Sequence, residues 1–223
     1  MTTPDQVLTP VAQDYLKVIW SAREWSDAPV TTTLLAKRLG VGVSTVSETV
    51  RRLTEQGLVD HAPYGAVTLT GMGRAHAVAV VRRHRLLETF LVERLGYTWD
   101  EVHEEAEVLE HAVSDLMVLR IDDALGQPAR DPHGDPIPSS DGTVRMPAAR
   151  RLWDLTAGGG SVARISDSDP VLLRYFAEVG LRLDALVVVR ERRDAVGVIS
   201  IDIDGRGVEL GEVAACAVWL VAD

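Results

Sequence analysis

Apolar positions recur at helical spacing through the first part of the chain. Val11, Tyr15, Val18 and Ile19 fall on one face of a helix predicted over 11–23, with Asp14 beside that face. A short helix is predicted over 33–39, with Thr31 or Thr32 placed to cap it, and Gly40-Val41-Gly42 interrupts it. Ser44 can cap a third helix reaching about Gln56, where Gly57 stops it. Residues 58–61 and 66–70 then read as two strands around a turn at Pro63-Tyr64-Gly65.

The pattern changes twice more. A long helix is predicted from Gly73 to Leu95, ended by Gly96. Thr98 with Glu101 has the form of a capping box, and the helix it starts is predicted to continue to about Leu119. Residues 126–147 hold five of the ten prolines and read as an irregular connector. Beyond Arg151 the runs 152–156, 161–165, 186–190, 196–201 and 218–221 read as strands, with a helix over 170–178. The expected fold is mainly α with small β parts. A winged helix-turn-helix domain spans 1–73, a helical domain 74–140, a linker 141–150 and a β-barrel-like domain 151–223.

Composition narrows the class. The chain has 223 residues, 46% apolar and 25% charged, which is globular. No apolar run approaches the roughly 18 residues of a membrane span, and the first residues lack the basic and apolar regions of a signal peptide. The single cysteine, Cys216, excludes a disulfide framework and a cysteine-cluster metal site, so a cytoplasmic location is expected. Net charge is −10 but unevenly placed: residues 1–75 balance at seven and seven, whereas 76–140 carry thirteen carboxylates against six arginines. A block of that kind repels DNA or takes up cations.

Helix, glycine turn, helix and two-stranded wing is the order of a DNA-binding module whose second helix enters the major groove. The expected contacts are Thr32 and, on the recognition helix, Ser44, Thr45, Ser47, Glu48 and Thr49, with Arg51 and Arg52 reaching phosphates. Val46, Val50 and Leu53 face inward.

The acidic segment carries the second chemistry. His84 and Glu88 are four apart on one helix face. His103, Glu107, Glu110 and His111 fall at about 0°, 40°, −20° and 80° around a helix, forming one stripe. A solvated face would carry Lys or Arg to offset these carboxylates, yet no lysine follows Lys37 and 98–119 has no basic residue except histidine. A divalent cation suits the stripe better. Enzyme patterns fit poorly. The H-E-x-x-H motif lacks its second histidine, Val108 stands where the di-iron Glu-x-x-His needs a glutamate, and Gly158-Gly159-Gly160 is followed by no P-loop lysine.

With these residues in place the chain resembles the diphtheria-toxin-repressor family of metal-activated regulators. The likeness rests on Asp14-Tyr15-Leu16, on 45–50, on 83–88, on 102–111 and on Pro132-His133-Gly134-Asp135-Pro136-Ile137-Pro138. It implies a winged-helix domain, a helical metal-binding and dimerisation domain, and a C-terminal SH3-like domain. It also implies two metal sites: His84, Glu88 and His103, with Asp167 as the nearest match to an acidic ligand from the third domain, and Asp14, Glu107, Glu110 and His111. His133 matches a loop motif read as structural.

The iron-responsive branch typically has Met at the position of Asp14 and Cys at that of Glu107. Carboxylates at both, as here, resemble the manganese-responsive branch, and hard oxygen ligands suit Mn²⁺. Lys17 stands where some manganese members place another carboxylate, so a two-metal cluster on the first helix is not expected. The expectation is a homodimeric, non-enzymatic repressor that binds inverted-repeat operator DNA in response to Mn²⁺, with Fe²⁺, Zn²⁺ and Co²⁺ as alternatives and no membrane partner. Two other readings stay open: an iron-dependent regulator of the same fold, and a winged-helix regulator that senses a small organic ligand. A metallohydrolase is disfavoured because it lacks a nucleophile and a motif.

Overall fold

The computed structural model describes residues 8–62 and 65–222. The expected turn residues Pro63 and Tyr64, and the first seven residues, lie outside the described residues. Two compact units emerge: 1–83 with 138–143, and 84–137 with 144–223.

The first unit holds α1 (Pro10–Glu24), α2 (Thr32–Leu39), α3 (Val43–Glu55), β1 (Val59–His61) and β2 (Val67–Leu69), then the start of α4 (Gly71–Leu95). Thr9 and Thr31 cap α1 and α2 by accepting from Ala12 N and Leu34 N, and Gly40 ends α2 in the left-handed region at φ 65°. Ser44 is not the cap of α3. The helix begins one residue earlier, at Val43, behind Gly42, whose extended backbone (ψ 147°) makes the entry without a side-chain bond. β1 and β2 pair antiparallel, with Val59 opposite Leu69, and form the wing. Leu35, Val46, Val50, Leu53, Leu58 and Val67 are buried here. Thr70 Oγ accepts from Gly73 N and donates to Gly57 O, which ties the start of α4 to the wing.

The second unit joins the rest of α4 to α5 (Val102–Leu109), α6 (Asp115–Leu125) and a β-domain. The single helix expected over 98–119 is two. Thr98 does bond Glu101 Oε2, through its hydroxyl at 2.7 Å, but 98–101 remain a turn. Downstream, Ser114 accepts from Met117 N and starts a new helix, so residues 110–114 turn between α5 and α6. The continuous apolar pattern concealed this break, because Leu109, Val113 and Val118 all pack toward one core with Leu86, Leu87, Leu91, Val102 and Ile121.

The β-domain contains β3 (Ala149–Arg151), β4 (Gly158–Ile165), β5 (Leu186–Arg193), β6 (Val198–Ile203), β7 (Arg206–Gly211) and β8 (Val218–Val221), with α7 (Pro170–Val179) and the short α8 (Glu212–Ala215). Its sheet is antiparallel, in the order β3-β8-β4-β5-β6-β7. The strand expected over 152–156 is absent. Leu155 N bonds Leu152 O in a 3-10 turn, which brings both leucines inward at a spacing of three rather than two. Strand β7 escaped the apolar pattern because only Leu210 in it is buried. Its signal is Asp204-Gly205, both at positive φ, the dipeptide of a tight hairpin.

Candidate metal centre

Within the second unit, α4 carries His84 and Glu88 on successive turns facing α5. His84 Nε2 lies 3.0 Å from Glu88 Oε1 and 3.3 Å from His103 Nδ1, and His103 Nδ1 lies 3.2 Å from Glu88 Oε1. Asp167, just beyond β4, brings Oδ2 within 3.3 Å of His103 Nδ1. Glu88 is 1% exposed, whereas His103 is half-exposed at the mouth of the cluster. Two imidazoles and two carboxylates thus converge from α4, α5 and the β-domain.

The donor set fits a divalent ion. Edges of 3.0–3.3 Å among His84, Glu88 and His103 are those of a shell around an ion held at roughly 2.0–2.2 Å, and Asp167 adjoins it through His103. The other ring nitrogen of His84 is also set: Nδ1 lies 2.6 Å from Glu110 Oε2, so the ring donates there, and with an ion bound its Nε2 lone pair would face the cluster. Burial opposes charge on His103, but bonds to Asp167 and Glu88 outweigh it and raise its pKa to about 11. Burial likewise opposes charge on Glu88 and Asp167, and the histidines beside them hold both well below the carboxylate range.

Reading the sequence did not mark His133 as a donor. It is fully buried; its Nε2 bonds Trp99 O at 2.7 Å, while Nδ1 has no hydrogen-bond partner and lies 4.0 Å from Glu88 Oε2. Glu88, His133 and Asp167 form a second cluster with donor atoms close enough for one ion. Only burial distinguishes such a histidine from a structural one, and no local sequence signal reveals it.

The remaining expected ligands are placed as follows. Glu107 on α5 sits 3.6 Å from His103 Nε2. Glu110 is the fully buried C-cap of α5, and its Oε1 is 3.6 Å from His111 Nε2 in the turn that follows. Glu110 therefore faces His84 with one oxygen and His111 with the other. Asp14 lies on α1 in the first unit and is half-buried.

On α3, Ser44, Thr45, Ser47, Glu48, Arg51 and Arg52 are exposed, and Thr32 at the start of α2 is half-buried. Thr49 is a correction. It stands three residues after Val46, on the inward face with Val50 and Leu53, and is buried. Arg51 pairs with Glu55 on its own helix.

Comparison with known proteins covers both units. Residues 7–67 match the iron-dependent repressor N-terminal DNA-binding domain, 70–139 the iron-dependent repressor metal-binding and dimerisation domain, and 152–222 the FeoA domain. The iron-dependent repressor IdeR of Mycobacterium leprae is 39% identical over 131 residues, a stretch covering 59% of this chain and 56% of that relative. The diphtheria toxin repressor of Corynebacterium glutamicum is 32% identical over 220 residues, covering 95% of this chain and 96% of the relative. Among solved structures, a manganese-dependent transcriptional repressor in complex with manganese superposes with a TM-score of 0.92 at 61% identity, covering 95% of this chain and all of that one.

Proposed function

Because this chain belongs to the family of iron-dependent, or diphtheria toxin, repressors, we propose that it is a metal-activated transcriptional repressor that answers to Mn²⁺ and controls metal-ion homeostasis. The observation that carries this reading is the packing of His84, Glu88 and His103 into one group, with Asp167 against His103, in a chain that also presents a winged helix. A sensor of an organic ligand has no need of four ionisable donors packed within hydrogen-bond distance.

His84, Glu88, His103 and Asp167 hold one ion. Asp14, Glu107, Glu110 and His111 hold the other, Asp14 being assigned from its sequence match. An ion bound there neutralises carboxylates that otherwise repel DNA, and it restrains the DNA-binding unit through Asp14. Metal then favours the state in which two recognition helices, one per subunit of a homodimer, meet half-sites of an inverted repeat about one DNA turn apart. Val108 on α5 and Leu116, Met117 and Leu119 on α6 are large apolar side chains left exposed, which suits a subunit interface. No helix among the described residues is long and apolar enough to cross a membrane.

Three carboxylates against one imidazole make the second set hard, which supports Mn²⁺, as does likeness to a manganese-dependent repressor. Later divalent metals bind most sites more tightly, so selectivity rests on the coordination each ion completes. The test is operator affinity at saturating Mn²⁺ and Zn²⁺, under anaerobic conditions, for the parent and for Asp14→Met combined with Glu107→Cys. The parent is expected to reach tighter DNA binding with Mn²⁺, and the double variant to shift toward Fe²⁺ or later metals. Equal activation of the parent by both ions, with the order unchanged in the variant, rules these positions out as the source of selectivity.

A further inference from the structure

Asp167 reaches the cluster from a different domain than the other three donors, so something must hold β4 in place. The segment 131–136 lies between them. Asp131 Oδ1 accepts from His133 N at 2.9 Å and Asp135 N at 3.0 Å, which closes the segment into a tight loop. Gly134, at φ 93°, allows the loop to press on β4, since a Cβ there would meet Ala163 O at 2.1 Å. Ile165 N donates to His133 O at 2.8 Å, two residues before Asp167.

Ion pairs run along the same path. Arg85, adjacent to His84, donates to Pro136 O at 2.7 Å and lies 3.7 Å from Asp135 Oδ1. The same Asp135 oxygen accepts from Arg164 Nε at 2.6 Å, and Arg164 on β4 stacks on Trp219 with 4.4 Å to the ring centroid. Arg85, Asp135 and Arg164 are all buried. Removing one member of such a buried pair strands its partner's charge, so the arrangement is held firmly once formed.

We propose that Arg85, Asp135 and Arg164 are positioning residues that clamp β4 to α4 and so deliver Asp167 to His84, Glu88 and His103. None of these contacts is to a donor atom of the cluster, so the clamp acts on the position of β4 and makes the β-domain a standing part of the site. This rests on the reading of that cluster as a metal site.

The experiment uses the full chain in a His111→Ala background, so that Mn²⁺ binding, followed by the EPR signal of the free ion, reports this cluster. Outer partners of metal ligands contribute about 10–100-fold to affinity. Asp135→Asn is therefore expected to weaken Mn²⁺ binding by about tenfold or more, and by less than about twofold once Asp167→Asn is present, because both act through one ligand. Without metal, Asp135→Asn is expected to speed hydrogen exchange at the Ile165 amide, which Asp167→Asn leaves slow. Should Asp135→Asn not fold, Arg164→Lys keeps the charge but loses the stacked fork, and its smaller loss must also vanish beside Asp167→Asn. If Asp167→Asn weakens Mn²⁺ binding while the Asp135 or Arg164 variant does not, or if their effects multiply, the clamp is overturned and the site stands. If neither Asp167→Asn nor His103→Ala alters Mn²⁺ binding, the site reading fails and the clamp with it.

Discussion

In the cluster around Glu88 each side chain has another candidate donor as its nearest polar neighbour, whereas along the outer face of α3 the polar side chains point to solvent. Ser47 bonds back to Val43 O of its own helix, and among the described residues Glu48 and Arg52 make no ion pair. The contrast has energetic consequences. Buried donors are interdependent, because each is held charged or neutral by the others, so losing one disturbs all. Among the described residues only Arg51 on the outer face of α3 is ion-paired, with Glu55, so the other side chains lose only their own contact when replaced.

The largest effect expected from this contrast is at His111. His111→Ala removes a proposed ligand of the site that would link metal to DNA, and it should abolish the metal-dependent gain in operator affinity, about 5–150-fold for typical coupling. A variant that still responds to Mn²⁺ like the parent would place the linking site elsewhere. Next in size is Glu88→Gln, which keeps the shape but removes the charge that both histidines face. It should raise the Mn²⁺ concentration needed for half-activation by at least about tenfold, yet leave full activation attainable in excess metal.

The same interdependence gives a pH signature. His103 has its folded pKa raised from 6.5 to about 11, so its pairing stabilises the metal-free protein fully below pH 6.5 and is lost as pH climbs toward 11. Glu88 and Asp167 are held low, so their share is lost instead as pH falls below the carboxylate range. The stability difference between the parent and His103→Gln in EDTA should therefore shrink above pH 6.5, while Mn²⁺ affinity rises as protons leave the ligands. Melting curves across pH check this, and a difference that widens toward alkaline pH would contradict it.

Effects on α3 should be smaller and separable. Arg52→Ala should reduce the salt slope of DNA binding by about 0.9 if it neutralises one phosphate. Arg51→Ala should do less, because Glu55 already pairs with it. Glu48→Gln should change which base pair is preferred while leaving the salt slope alone.

The two regions also differed in how much the sequence disclosed. Spacing alone placed Val46, Val50 and Leu53 inward. The same spacing should have placed Thr49 with them, but residue type overrode angle. His84 with Glu88, and His103 with Glu107, were legible because four residues make a helical turn. Glu110 and His111 were drawn on a helix that in fact ends at Leu109, with Glu110 as its cap. Asp167 comes from a β-domain loop far along the chain, and no periodicity could join it to α5; only the family likeness pointed there. His133 stayed hidden because its meaning depends on a buried, unpartnered nitrogen, a property of packing rather than of pattern.

On the proposed mechanism, metal taken up by the acidic unit switches on DNA binding by the winged helix. Operator DNA affinity measured by fluorescence anisotropy, at fixed ionic strength in EDTA and then at saturating Mn²⁺, tests it directly. Mn²⁺ is expected to tighten binding by at least about fivefold, an effect reversed by chelator and absent in His111→Ala. Equal affinity with and without metal, in a protein shown to bind Mn²⁺, would contradict it.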